Sequence, residues 1–92
     1  MSDDHSRYEI DPNTGQRSPT HEELMRWHEW LVEHEPEFET RYAGQYLAIW
    51  DKQVVTAGAD EWAVIQEARR RLPDAVPLIV YIPTEKETML LV

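Results

Sequence analysis

The stretch Phe38–Asp60 reads FETRYAGQYLAIWDKQVVTAGAD, and it packs four aromatics, two glycines and two short apolar runs into 23 residues. YLAIW (Tyr46–Trp50) is short, aromatic and apolar, the composition of a strand. QVVTA (Gln53–Ala57) reads as its returning partner. The turn between them, at Asp51-Lys52, has no glycine, so Asp51 must tolerate any positive φ that a tight hairpin demands. Gly44 supplies a left-handed stop for a short helical piece over Glu37–Tyr42. Gly58 closes the second strand, and Asp60 is placed to cap the helix that follows.

Toward the N-terminus, THEE (Thr20–Glu23) is a capping box, in which Thr20 accepts from the third helical amide and Glu23 reaches back. Leu24, Trp27, Leu31 and His34 then recur at helical spacing, so a helix is expected over His21–Glu35, interrupted at Pro36. Residues 1–18 are polar, with a DPNTG turn signal at Asp11–Gly15. They are expected to form a mobile acidic tail with a brief extended piece at Tyr8–Ile10, ahead of a single domain over residues 19–92. Toward the C-terminus, Trp62, Ile65, Ala68 and Leu72 make an apolar stripe that ends at Pro73. LIVYI (Leu78–Ile82) is the strongest strand in the chain, Pro83–Glu87 reads as a turn, and TMLLV reads as a last strand. The order α-β-β-α-β(-β) describes an α+β domain with two main helices on a small sheet of three to four strands. A helix between two strands suggests a right-handed crossover, so the sheet is expected to be mixed.

Strand alternation sets Leu47 and Ile49 against Tyr46, Ala48 and Trp50, and Leu78, Val80 and Ile82 against Ile79 and Tyr81. Both faces are apolar, and both must be covered. The second helix covers one. The other falls to the first helix or to a second chain, with a homodimer as the commonest such partner. The expected work surface is the face of Tyr46, Trp50 and Tyr81, with Trp27 and Trp30 beside it.

Net charge is −9, with 11 acids against three arginines in residues 1–40 and seven acids against six bases in residues 41–92. Such a field repels nucleic acid and anionic lipid and favours a basic protein partner. The chain has no cysteine, which removes disulfides, thiol nucleophiles and thiolate metal sites. The opening MSDDHSRYEI lacks the features of a secretory leader, and no apolar run approaches the ~20 residues of a membrane span, so a cytoplasmic location is expected.

The pattern F-x3-Y-x-G-x-Y-L-A-I, then V-V-x-A-G, then a helix and an apolar strand ending in I-P, resembles a family of short prokaryotic proteins catalogued as a domain of unknown function. The resemblance rests on Tyr42, Gly44, Tyr46, Leu47 and Ala48, on Val54, Val55 and Gly58, and on Tyr81, Ile82 and Pro83. Tyr46 stands where tryptophan is usual, and the hairpin turn lacks glycine. The resemblance implies the fold and brings no catalytic residues with it.

Direct signs of chemistry are weak. His21 and His28 are seven apart and share a helix face, but helical metal sites use spacings of three or four, so no metal or other cofactor is expected. Gly58-Ala59-Asp60 stands at a strand–helix junction, yet Asp60 and Glu61 repel phosphate, and Gly58 better serves a tight turn or a close helix–strand approach. No hydroxyl sits in a nucleophile turn. Arg69, Arg70 and Arg71 suit a helix C-terminus. The sequence therefore points to a non-enzymatic, homodimerising interaction module of adaptor or antitoxin-like type. Two alternatives are a small-molecule module with an aromatic-lined pocket between the first helix and the sheet, and an enzyme using His28 or His34 with Glu33 as acid/base groups.

Overall fold

The computed structural model of the chain describes residues 8–90. The elements are β1 (Tyr8–Ile10), β2 (Arg17–Pro19), α1 (His21–Glu33), α2 (Glu35–Arg41), β3 (Gln45–Ile49), β4 (Val54–Gly58), α3 (Glu61–Arg71), β5 (Leu78–Ile82) and α4 (Glu85–Leu90). They form an α+β fold.

β1 and β2 pair as an antiparallel hairpin, closed by the DPNTG turn. Asn13 N–H donates to the Asp11 carboxylate at 2.8 Å, and Gly15 takes a positive φ of 73° there. The extended piece expected at Tyr8–Ile10 is therefore a strand, with a partner in Arg17–Pro19 that the sequence did not announce. Residues 1–7 of the expected tail lie outside the described residues. The hairpin is tied down at two places. Tyr8 stacks on Trp50 with ring centroids 5.2 Å apart, and Arg17 N–H donates to the Asp74 carbonyl at 2.7 Å.

β3, β4 and β5 form the main sheet in the order β4-β3-β5. Both of its pairings are antiparallel, so the mixed sheet expected from the crossover is corrected. α3 carries the chain past β3, and β5 docks on the far side of it instead of beside β4. The physical reason is burial: Leu47, Ala48 and Ile49 of β3 are fully buried, and the central place goes to the strand with most to hide.

The alternation of the strands holds. Leu47 and Ile49 pack with Trp27, Phe38 and Ile82 on one face, and Ala48 packs with Val64 and Ala68 on the other. Hence α1 and α2 cover one side of the sheet and α3 the other. On α3 the buried pair is Val64 and Ala68, four apart, whereas Trp62, expected in the stripe, is exposed. Gly58 permits the close approach of α3, since a Cβ there would meet Val64 Cγ2 at 3.3 Å. Gly44 has φ of 75°, and a Cβ would meet Thr84 Cγ2 at 3.1 Å.

Thr20 caps α1 as expected, with Glu23 N–H donating to Thr20 Oγ1 at 3.3 Å. The Glu23 carboxylate is buried and accepts from the Trp27 indole at 3.1 Å and from Arg26 at 3.3 Å. Those bonds compensate its desolvation. α1 stops at Glu33 and Pro36 enters the first turn of α2. Across that break Trp30, His34, Phe38 and Tyr42 stack as a ladder at every fourth residue, with centroid separations of 4.9, 5.9 and 5.6 Å.

The last strand expected at TMLLV is also corrected. Residues 88–90 continue α4, and 91–92 lie outside the described residues. Thr84 and Glu87 form a full capping box, reciprocal at 3.1 Å in both directions.

Candidate functional site: the free edge of the sheet

β5 is an edge strand: β3 is its only partner among the described residues. Its five residues, LIVYI, carry no charge and no proline. The backbone just before it is already engaged, since Val76 N–H donates to the Arg17 carbonyl at 2.8 Å. The open run therefore begins at Leu78. Between this edge and the helices lies a groove of about 180 Å³, lined by Leu31, Val32, Glu35, Glu39, Val80, Tyr81, Ile82 and Pro83. At Val32 the groove continues onto a shallow surface of α1 formed by Met25, His28, Glu29 and Glu33. Met25 and Val32 are 52% and 63% exposed, so two large apolar side chains on one helix face point away from the core. An uncharged strand edge flanked by apolar side chains is suited to accept another strand.

The face expected of Tyr46, Trp50 and Tyr81, with Trp27 and Trp30 beside it, is divided among three separate places. Trp27 is fully buried beneath the sheet, so it has no surface to offer. Trp50 leaves the strand at the turn, where the alternation lapses, and meets Trp27 edge-on at 5.3 Å instead of joining Tyr46. Trp30 belongs to the helical ladder. Only Tyr46 and Tyr81 pair as expected, across β3 and β5, at 4.8 Å. The Tyr81 hydroxyl donates to Glu87 Oε1 at 2.5 Å, which fastens the end of β5 to α4. That bond raises the Tyr81 pKa and, with the Thr84 amide, lowers that of Glu87.

Of the residues that line the groove, Tyr81 was singled out for a work surface from the sequence, whereas Val32, Glu35 and Glu39 were not. Met25 and Val32, seven apart and off the buried stripe of α1, were the available signal.

The expected pocket between α1 and the sheet is filled by Trp27, Leu47 and Ile49. A cavity of about 250 Å³ lies elsewhere, between α3 and the loop before β5, lined by Ile65, Arg69, Ala75, Val76, Pro77, Ile79 and Gln16 and by no aromatic. The histidines do not converge. His34 is held with Nδ1 2.9 Å from the Trp30 carbonyl, while His28 lies on the shallow outer surface with Glu33. Among the described residues no group of three or more metal-ligating side chains comes together, and no helix is long and apolar enough to cross a membrane.

The fold and this edge define a small α+β protein whose three-stranded antiparallel sheet is covered on both faces by its own helices and, among the described residues, open along β5. Within that class the chain belongs to the DUF5678 family, a family of unknown function, whose model matches residues 37–85. The match takes in nearly all of α2, then β3, β4, α3, β5 and the first residue of α4, and leaves out the hairpin and α1. No curated protein and no solved structure matches the chain.

Proposed function

We propose that this protein is a non-enzymatic interaction module that takes up an extended segment of another chain as a fourth strand beside β5. The observation that carries the reading is the uncharged edge of Leu78–Ile82 lying along an apolar groove. Backbone hydrogen bonds to an edge strand supply affinity without chemistry, and alternate side chains of the added strand reach the groove. An adaptor or antitoxin-like role fits such a surface. The homodimer expected from the sequence rested on an uncovered sheet face. With α1 over that face, the case for a second copy moves to the β5 edge, where native mass by light scattering over a concentration series reads it.

The test is selection of binders from a displayed library of random peptides, followed by amide hydrogen exchange. Binders that slow exchange across residues 78–82 support strand addition. Binders that protect only α3 or the cavity beside Arg69 overturn it.

A further inference from the structure

Resting on strand addition at β5, we infer that the segment taken up is basic: an extended strand alternating apolar residues with lysine or arginine.

Four glutamates carry the inference. Glu35 and Glu39 line the groove itself, and Glu29 and Glu33 line the surface that continues from it at Val32. All four are exposed. Among the described residues none of them is ion-paired. Three other glutamates of these helices and of α3 are paired, and among the described residues Glu22 and Glu61 are not: Glu23 pairs with Arg26, Glu37 with Arg41, and Glu67 with both Arg70 and Arg71. The arginines thus serve acids away from the groove and leave its rim uncompensated.

Part of the rim is also placed against the helix's own preference, although Glu35, in the first turn of α2, suits the helix dipole. Glu29 and Glu33 are four apart on α1, and Glu35 and Glu39 are four apart on α2, a spacing at which like charges repel. Glu33 ends α1, where the helix dipole favours a cation, and that last turn contains no basic residue. A cationic strand in the groove would relieve both effects.

The geometry divides the labour. A strand added beside β5 runs about 4.8 Å from it, and its side chains alternate between the two faces of the sheet. Those on the helical side meet Leu31, Val32 and Val80 with the glutamates at the border, so the lysine or arginine residues take that side and the apolar residues take the other, the side of Ile79 and Tyr81. The long aliphatic stems of lysine and arginine also suit a rim that is apolar below and acidic above. A second copy of this chain fits poorly, because it would bring an identical acidic rim against the first with a net charge of −9 on each molecule.

The experiment uses the full chain and two peptides of about ten residues, one alternating valine with lysine and one alternating valine with glutamate. Binding is measured by titration at low and physiological salt, and the site is mapped by amide exchange. The valine–lysine peptide is expected to protect residues 78–82, to bind more weakly as salt rises, and to lose about five-fold in affinity in the Glu35→Gln/Glu39→Gln double variant, the effect of two exposed charge pairs. An unchanged melting temperature in that variant shows that the loss is not unfolding. Equal binding of the valine–glutamate peptide, or an unaffected double variant, overturns the basic partner and leaves strand addition standing. A dimer that buries residues 78–82 and excludes the lysine peptide does the same and makes a second copy the occupant. Failure of the valine–lysine peptide to protect residues 78–82 overturns the basic segment, and a library that also yields no binder there overturns the edge itself.

Discussion

The two edges of the main sheet are built from similar material and finished differently. β4 is VVTAG and β5 is LIVYI, both short, uncharged and apolar. At β4 the register shifts between Ala48 and Ile49, so that Val55 is an extra residue in a bulge. Arg71 Nη1 donates to its carbonyl at 2.5 Å, and Glu67 holds that guanidinium from the other side at 2.7 Å. α3 packs along the same strand through Val64, above Gly58. A bulge, a long cation and a covering helix are all means of keeping a strand edge from pairing with another chain. β5 has an unbroken register of five pairs with β3 and, among the described residues, none of these devices on its outer side. The contrast shows that edge protection in this protein is local: it was applied to one strand and left off the other.

The largest effect on this contrast is expected from Ala68→Leu. Ala68 is fully buried where α3 crosses the sheet, so added methylenes should overpack the contact and cost about 1–3 kcal/mol. Urea unfolding should report the loss, and amide exchange should rise at Val54–Gly58 more than at Leu78–Ile82. A uniform rise across both strands would mean that α3 does not single out the β4 edge.

A smaller effect, of opposite sign, is expected at the turn leading into β4. Asp51 and Lys52 hold positive φ of 52° and 59°, and Trp50 and Gln53 exchange both backbone hydrogen bonds at 3.0 and 3.1 Å. This is a two-residue hairpin of the type that ordinarily uses glycine. Lys52→Gly relieves left-handed strain, partly offset by the freedom glycine gives the unfolded chain, so a net gain of up to about 1 kcal/mol is expected in the urea midpoint. An unchanged or lower midpoint would show that the turn is not the weak point of the β3–β4 pairing.

The smallest effect is electrostatic. Hydrogen bonds from Arg70, then Arg71, lower the Glu67 pKa from the ordinary 4.5 to about 2. A carboxylate with a depressed folded-state pKa contributes its stability above the unfolded value and loses it as pH falls through the folded one. The contribution of Glu67 should therefore be complete above about pH 4.5 and gone near pH 2, and salt should weaken it because the pair is exposed. Titration of the Glu67 carboxyl by NMR checks this. A midpoint near 4.5 would mean that Arg71 is not held in place over β4.

Features governed by neighbours in the chain were legible before any coordinates. Thr20 and Asp60 cap the helices they were expected to cap, and the parity of Leu47 and Ile49 against Ala48, and of Val80 against Tyr81, is the parity of the folded sheet. Thr84-x-x-Glu87 carries the same capping signal as Thr20-x-x-Glu23, and it was hidden by the strand-like composition of the residues after it. The candidate site was far less legible. Val32, Glu35 and Glu39 are unremarkable surface residues of two helices until β5 is laid beside them.

What the sequence by itself determined is thus the run of elements from α1 to β5, the caps at Thr20 and Asp60, the apolar character of both sheet faces and the acidic field of the N-terminal half. Each depends on spacings of a few residues, over which backbone geometry is nearly independent of the rest of the fold. What only the tertiary structure decided is the order β4-β3-β5, the departure of Trp50 from the face of Tyr46, and which edge stays open. These depend on contacts between residues far apart in the chain: Ala48 against Ala68, Trp50 between Tyr8 and Trp27, and Leu31 against Val80. No local pattern encodes such pairings, because the free energy that selects them is the burial of whole surfaces against one another.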